Sequence, residues 1–138
     1  MIIDATNLIL GRIATIAAKK ALLGETVDII NCEKAVITGL RKTILEKYQR
    51  KSAMGSPSTG PYIARMPDKF VKRALRGMIP YKQPKGVAAL KRLMCYSGVP
   101  EEFKDKKAET IEEANISKLA NLNFVTVKEI CLNLGGNL

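Results

Sequence analysis

The hydrophobic positions of the chain change period several times, and each change marks an element. Residues 1–4, Met-Ile-Ile-Asp, read as a short buried strand. After a turn at Ala5, Thr6 and Asn7, Ile13, Ile16, Ala17 and Ala21 recur at helical spacing, which predicts a helix over 10–23 with Arg12, Lys19 and Lys20 kept wet. Gly24 stands where a left-handed C-cap is expected. Residues 25–31 are rich in β-branched side chains and predict a second, largely buried strand. Strand, helix and strand in this order suggest a right-handed βαβ unit with a parallel pair. Residues 35–38 predict a third short strand.

The helical period returns over 40–51, with Thr38 placed to cap it. Leu40, Ile44, Leu45 and Tyr48 share one face, and Glu46 lies four residues from both Lys42 and Arg50. Residues 54–61, Met-Gly-Ser-Pro-Ser-Thr-Gly-Pro, are incompatible with a regular element and read as a long surface loop. A helix over 69–76 puts Phe70, Val71, Ala74, Leu75 and Met78 on one side. Lys69, Lys72, Arg73 and Arg76, at i, i+3, i+4 and i+7, form a basic stripe on the other. Asp68 and Gly77 suit its two ends. A further helix over 87–94 points Val87, Leu90 and Met94 inward, with Lys91 and Arg92 outward. Beyond residue 100, Thr110 to Glu113 and Thr126 to Glu129 both have the form of a capping box, the second with Gly135 as terminator. No internal repeat or low-complexity tract is present.

Composition narrows the class. A chain of 138 residues, 46% hydrophobic and 26% charged, is most simply one domain, 1–138, with a core of its own. No apolar run approaches the ~20 residues of a membrane span, and the N-terminus lacks the regions of a signal peptide, so a cytoplasmic protein without membrane partners is expected. Cys32, Cys95 and Cys131 are widely spaced and histidine is absent, which leaves no ready zinc ligand set and reads as free thiols in a reducing compartment. Without histidine the usual general base near neutral pH is missing, and no GxGxxG or Walker sequence occurs. Gly11 after a strand is too little to make a phosphate loop. Glu46 and Asp68 each have a local structural role as ion-pair partner or cap. No catalytic group, cofactor or metal is therefore expected, and the competing reading is a small enzyme acting on a nucleotide or phosphorylated substrate through the βαβ unit.

Charge changes the picture most. The chain carries a net +10, yet residues 1–40 balance and residues 93–138 carry −2. The excess lies in one stretch: Arg41, Lys42, Lys47, Arg50, Lys51, Arg65, Lys69, Lys72, Arg73, Arg76, Lys82, Lys85, Lys91 and Arg92 oppose only Glu46 and Asp68, a net +12. One charge cluster is usually a solvated face. Here several helices and the loop between them agree in sign, at a cost in self-repulsion that a polyanionic partner removes. The arginines offer planar forks to phosphate oxygens. Tyr48, Tyr62 and Tyr81 are interleaved with them, and the exposed ones can stack on bases, while Tyr48 lies on an apolar face. These features point to a binder of RNA phosphates, with basic helices and loop over about 40–94 and an acidic to mixed tail over about 100–138.

The wording of the sequence adds a resemblance. Ile3-Asp-Ala5, Leu10-Gly-Arg12-Ile-Ala14, Asn31-Cys-Glu33, Ile37-Thr-Gly39 and Lys47-Tyr48 resemble the large-subunit ribosomal protein L13 family. So do Gly60-Pro61, Arg65-Met-Pro67, Leu75-Arg-Gly-Met-Ile-Pro80, Lys85-Gly86, Ala88-Ala-Leu-Lys-Arg-Leu93 and Gly98-Val-Pro100, in family order across 2–100. Gly60-Pro61 followed by Arg65-Met-Pro67 is similar to the archaeal and eukaryotic branch, on its archaeal side. The resemblance implies an α/β fold, a three-layer α/β/α domain around a small, mainly parallel mixed sheet. It also implies a non-enzymatic constituent of the ribosome that binds large-subunit (23S) rRNA, supports subunit assembly and neighbours other large-subunit proteins. Its RNA-facing positions fall on the match to 47–92. The chain departs from the family at Tyr62-Ile63, where a histidine commonly follows Gly-Pro, and at Tyr81, where eukaryotic members tend to have histidine.

Overall fold

The computed structural model describes residues 1–137. Three strands pair in parallel in the order β1 (Ile2–Asp4), β2 (Val27–Ile30), β4 (Leu93–Cys95), with Ile3 opposite Ile29 and Ile29 opposite Cys95. β3 (Val36–Thr38) leaves this sheet and pairs antiparallel with β5 (Phe124–Thr126), Ile37 opposite Val125. The α/β class and the small, mainly parallel sheet follow the expectation, with the antiparallel pair standing apart as a second sheet. β1 and β2 are joined through α1 (Leu10–Leu23). β2 and β4 are joined by a crossover that holds β3, α2 (Arg41–Ala53), α3 (Pro67–Met78) and α4 (Pro84–Lys91). Parallel pairing requires such a long return, and the whole basic stretch lies on it.

α1 forms as its stripe predicts. Ile13, Ala14, Ala17, Ala18 and Ala21 are buried, and the small alanines let α3 approach closely. At its end Gly24 adopts φ 107°, its N–H donates to the carbonyl of Ala21, and the Glu25 N–H donates to that of Lys20. α3 begins with Pro67 at its first position and buries Phe70, Val71 and Leu75 against α1 and β4. With Ile3, Val27, Ile29 and Leu93 these residues make a core in which each fully buried aliphatic side chain contributes about 1.5–3 kcal/mol.

The C-terminal part is built into this core. The stretch around Glu109 runs along β1, where the Glu109 N–H donates to Ile2 and the Asp4 N–H donates to Glu109, so the sheet edge is covered. Ala114, Val125, Val127, Ile130, Cys131 and Leu134 are all buried. α5 (Val127–Asn133) starts at Thr126, whose side chain accepts from the Glu129 N–H at 3.3 Å, one half of the expected capping box, while the Glu129 carboxylate pairs with Arg41.

Several local expectations are corrected. Thr38 does not cap α2, because Gly39 at φ 131° turns the chain and Leu40 is the N-cap, 63% exposed rather than on the apolar face. Gly77 does not end α3. The helix runs on to Met78, itself exposed, and delivers Ile79 into the core. Thr110 to Glu113 form no capping box, only a 3-10 turn over Glu112–Ala114. The helix expected over 87–94 is α4, three residues earlier, and its last residues become β4. Gly86, Ala89 and Leu93 face inward there, whereas Val87 and Met94 are exposed. Pairing with Val27 and Asp28 outweighs the local helical spacing in this segment.

Candidate nucleic-acid interface

The cations of α2 follow from its sequence: with Ile44 buried and Leu45 and Tyr48 half-buried, Arg41, Lys42, Lys47, Arg50 and Lys51 are left on the exposed side. Arg41 pairs with Glu129 of α5, and Lys42 lies 3.9 Å from Glu46. Glu46 does not pair with Arg50, so it tethers one cation and not two. Among the described residues, the other twelve of the fourteen cations have no carboxylate within salt-bridge distance. Self-repulsion in this stretch is therefore largely uncompensated within the chain.

The loop between α2 and α3 has a fixed shape. Ser56 and Gly60 form a bridge, the Ser56 and Thr59 hydroxyls are 2.6 Å apart, and the Tyr62 hydroxyl donates back to the Ser58 carbonyl. Gly55, at φ 77°, lies so close to the carbonyl of Gly60 that a Cβ there would meet the oxygen at 1.8 Å. Tyr62 is 64% exposed, and the Arg73 guanidinium donates to its carbonyl, fastening the loop to α3. Arg65 is exposed near the start of α3.

On α3 the stripe assembles as its spacing predicts. Lys69, Lys72, Arg73 and Arg76 surround a surface concavity of about 360 Å³ that has Leu90 of α4 on its wall. Lys72 is half-buried, its Nζ 3.6 Å from the Met94 sulfur. The Arg76 guanidinium stacks 4.7 Å above the ring of Tyr81, which is 39% exposed, so cation and ring form one surface. Lys82, Lys85 and Lys91 are exposed along the following turn and α4. Arg92 stands apart: half-buried, it donates to the Ala21 carbonyl at 3.3 Å and meets the partial negative charge at the end of α1. Arg92 is a brace of the fold, whatever else it touches.

A feature absent from the sequence reading lies between α2 and α3. An apolar groove of about 460 Å³ is lined by Tyr48, Pro61, Ile63 and Phe70 among others, with Lys51 and Arg73 on it. The rings of Tyr48 and Phe70 are 5.2 Å apart and tilted, and the Lys51 ammonium is 5.8 Å from the Tyr48 ring. Burial, and then the nearby Cys131 thiol, push the Tyr48 hydroxyl up from its ordinary value, so it stays a neutral donor. No sequence signal marks this groove, because it exists only through the relative placement of three helices, α1 supplying Leu10, and a loop.

The two buried thiols are not activated nucleophiles. Burial and the charge of Asp68 push the Cys131 thiol up to about 11. Contact with Cys95 and burial push Cys32 up further, so both remain protonated thiols. Among the described residues no cluster of three His, Cys, Asp or Glu could hold a metal, and no helix is long and apolar enough to cross a membrane. What the surface does offer is fixed positive charge, planar guanidinium groups and exposed aromatic faces.

Comparison with known proteins gives a consistent result. Residues 1–102 match the family described as Ribosomal protein L13. The chain is 42% identical over 134 residues to the large ribosomal subunit protein uL13 of Methanococcoides burtonii, covering 97% of this chain and 96% of that protein. It is 43% identical to the protein of that name from Methanosarcina barkeri, with 97% and 96% covered. With its counterpart in Archaeoglobus fulgidus the identity is 42%, over 97% of this chain and 86% of the other.

Proposed function

The chain belongs to the ribosomal protein L13 family, and on that premise we propose that it is a structural, non-catalytic constituent of the large ribosomal subunit that binds 23S rRNA. Acting as one domain within the ribosome, it supports subunit assembly by holding RNA segments together. The observation that carries the reading is the placement of charge. The crossover between β2 and β4 bears fourteen cations, all but the half-buried Lys72 and Arg92 exposed, and twelve of the fourteen lack a carboxylate partner among the described residues. A neutral or small anionic substrate needs no such spread, whereas RNA presents phosphates at a spacing that engages many cations at once.

Within this reading Lys69, Lys72, Arg73 and Arg76 meet one run of phosphates, and Lys47, Arg50 and Lys51 meet another. Tyr62, Arg65, Tyr81, Lys82 and Lys85 line the ground between loop and α4, and Lys91 extends it. Arg41, Lys42 and Arg92 contribute mainly to the field, because each is engaged within the chain. The acidic stretch beyond residue 100 lies off this surface in charge and is left for neighbouring proteins.

Titration of the pure chain with 23S rRNA tests the proposal. Neutralising some six to ten phosphates predicts a ~10³- to 10⁵-fold loss of affinity between 50 and 200 mM salt. A flat salt response, or turnover of a nucleotide by the pure chain, rules the reading out.

A further inference from the structure

The apolar groove between α2 and α3 is left without an occupant by the phosphate contacts described above. α2 is anchored on α5 and β5, while α3 is anchored on α1 and β4. The two helices meet at Tyr48 and Phe70, and the groove lies at that contact. Pro61, Ile63 and Ala64 of the loop close one side of the gap, leaving a volume within the range of small-ligand sites. Exposed apolar surface of this kind is costly where it meets water, and the cations at its edge add to the self-repulsion of a stretch of net +12.

Its lining defines what fits. The floor is aromatic and aliphatic, no acidic residue lines it, and its charged members are Lys51 and Arg73. Arg73 is held by the Tyr62 carbonyl and Lys51 lies over the Tyr48 ring, so both cations are already aimed by their neighbours. An apolar side chain from a protein would fill the space but leave two cations desolvated and unpaired. A nucleotide brings a flat apolar face and a phosphate in one unit.

We propose that this groove receives a single unstacked base of the large-subunit rRNA, its ring packed on Tyr48 and Phe70 and its flanking phosphate held by Lys51 and Arg73. The proposal rests on the rRNA-binding reading above and deepens it: the loop and α2 then take a base out of the RNA while the α3 stripe follows the backbone. The bound base would be selected for being unpaired, because a base within a helix keeps its face covered by its neighbours.

The test uses the full chain and 23S rRNA. Ala74→Trp places an indole in the groove and leaves every cation in place. With wild-type circular dichroism and melting, this variant is expected to bind 23S rRNA about tenfold or more weakly, the worth of one base stack. Irradiation of the wild-type complex at short ultraviolet wavelength, followed by peptide mass spectrometry, should find nucleotide adducts on Tyr48 or Phe70. This measurement decides the matter if Ala74→Trp does not fold. A folded Ala74→Trp that binds like wild type, or adducts elsewhere with none on either ring, overturns the proposal. So does a variant that binds naked rRNA normally yet fails to enter large subunits, which assigns the groove to a protein side chain. If wild type shows no salt-dependent binding to 23S rRNA, it is the functional reading that fails, an outcome distinct from these.

Discussion

Replacing three cations of the α3 stripe by neutral residues of similar reach, Lys69→Gln, Lys72→Gln and Arg76→Gln together, isolates what their charge does. Lys69 and Arg76 are exposed, and Lys72 keeps only a contact with the Met94 sulfur. The structural cost is small: loss of the Arg76 stack on Tyr81 is worth about 0.5–1 kcal/mol at an exposed site. For a chain of this size such a loss lowers the melting temperature by only a few degrees. The effect on binding is large by comparison. Each phosphate contact contributes about one unit to the slope of log affinity against log salt. Three lost contacts therefore flatten the slope by about three. Across a fourfold rise in salt, from 50 to 200 mM, wild type should lose ~60-fold more affinity than the variant. Filter-binding titrations with 23S rRNA at four or five salt concentrations measure both slopes. A variant that is folded and has an unchanged slope refutes the assignment of these side chains to phosphate. A variant that melts far below wild type shows instead that the stripe belongs to the core.

Three further outcomes follow from the packing. Leu75→Ala, at a site with no exposure between α3 and α1, should cost about 3–5 kcal/mol in urea unfolding; a loss below 1 kcal/mol would contradict its place in the core. Gly86→Ala should destabilise the start of α4, because a Cβ there meets the Pro80 carbonyl oxygen at 2.0 Å, and amide exchange in the Pro84–Lys91 helix that matches wild type would contradict this. Although burial pushes the Asp4 carboxyl up, hydrogen bonds from the Thr6 side chain and N–H and from Asn31 outweigh it and hold the carboxyl below its ordinary value. Its stabilisation is thus present above the unfolded carboxylate range and lost as pH falls through the lower folded value. Wild type should exceed Asp4→Asn in urea midpoint at pH 6 and lose that advantage toward pH 2, and a difference independent of pH would refute the linkage.

The elements readable in advance were those in which local pattern and tertiary need agree. α1 is one: its alanine and isoleucine stripe, Gly24 and the wet lysines all demand the same helix, and the core has room for it. α3 is another, where Pro67 and the opposed apolar and basic stripes leave no second solution. β4 was hidden because Val87, Leu90 and Met94 imitate a helical face, and only pairing with β2, more than sixty residues earlier in the chain, makes Leu93–Cys95 a strand. Leu40 looked like a core position by spacing, yet the turn at Gly39 brings it out to solvent. The charge of the candidate interface was legible because cations accumulate along the sequence itself. Arg92 counted equally with the others there, since its bond to the Ala21 carbonyl depends on how α4 meets α1. The groove beside Tyr48 and Phe70 left no trace at all, as its walls come from four separate segments, α1, α2, the loop and α3.

The central claim is that this chain is a component of the large ribosomal subunit, held there by charge on the β2–β4 crossover. Velocity sedimentation of lysate, with the chain followed by mass spectrometry through the gradient, tests it most directly. The account predicts co-migration with the large subunit at low salt and progressive release as salt rises, at lower salt for the Lys69→Gln, Lys72→Gln, Arg76→Gln variant than for wild type. A chain that stays at the top of the gradient at every salt concentration, free of rRNA, would contradict it.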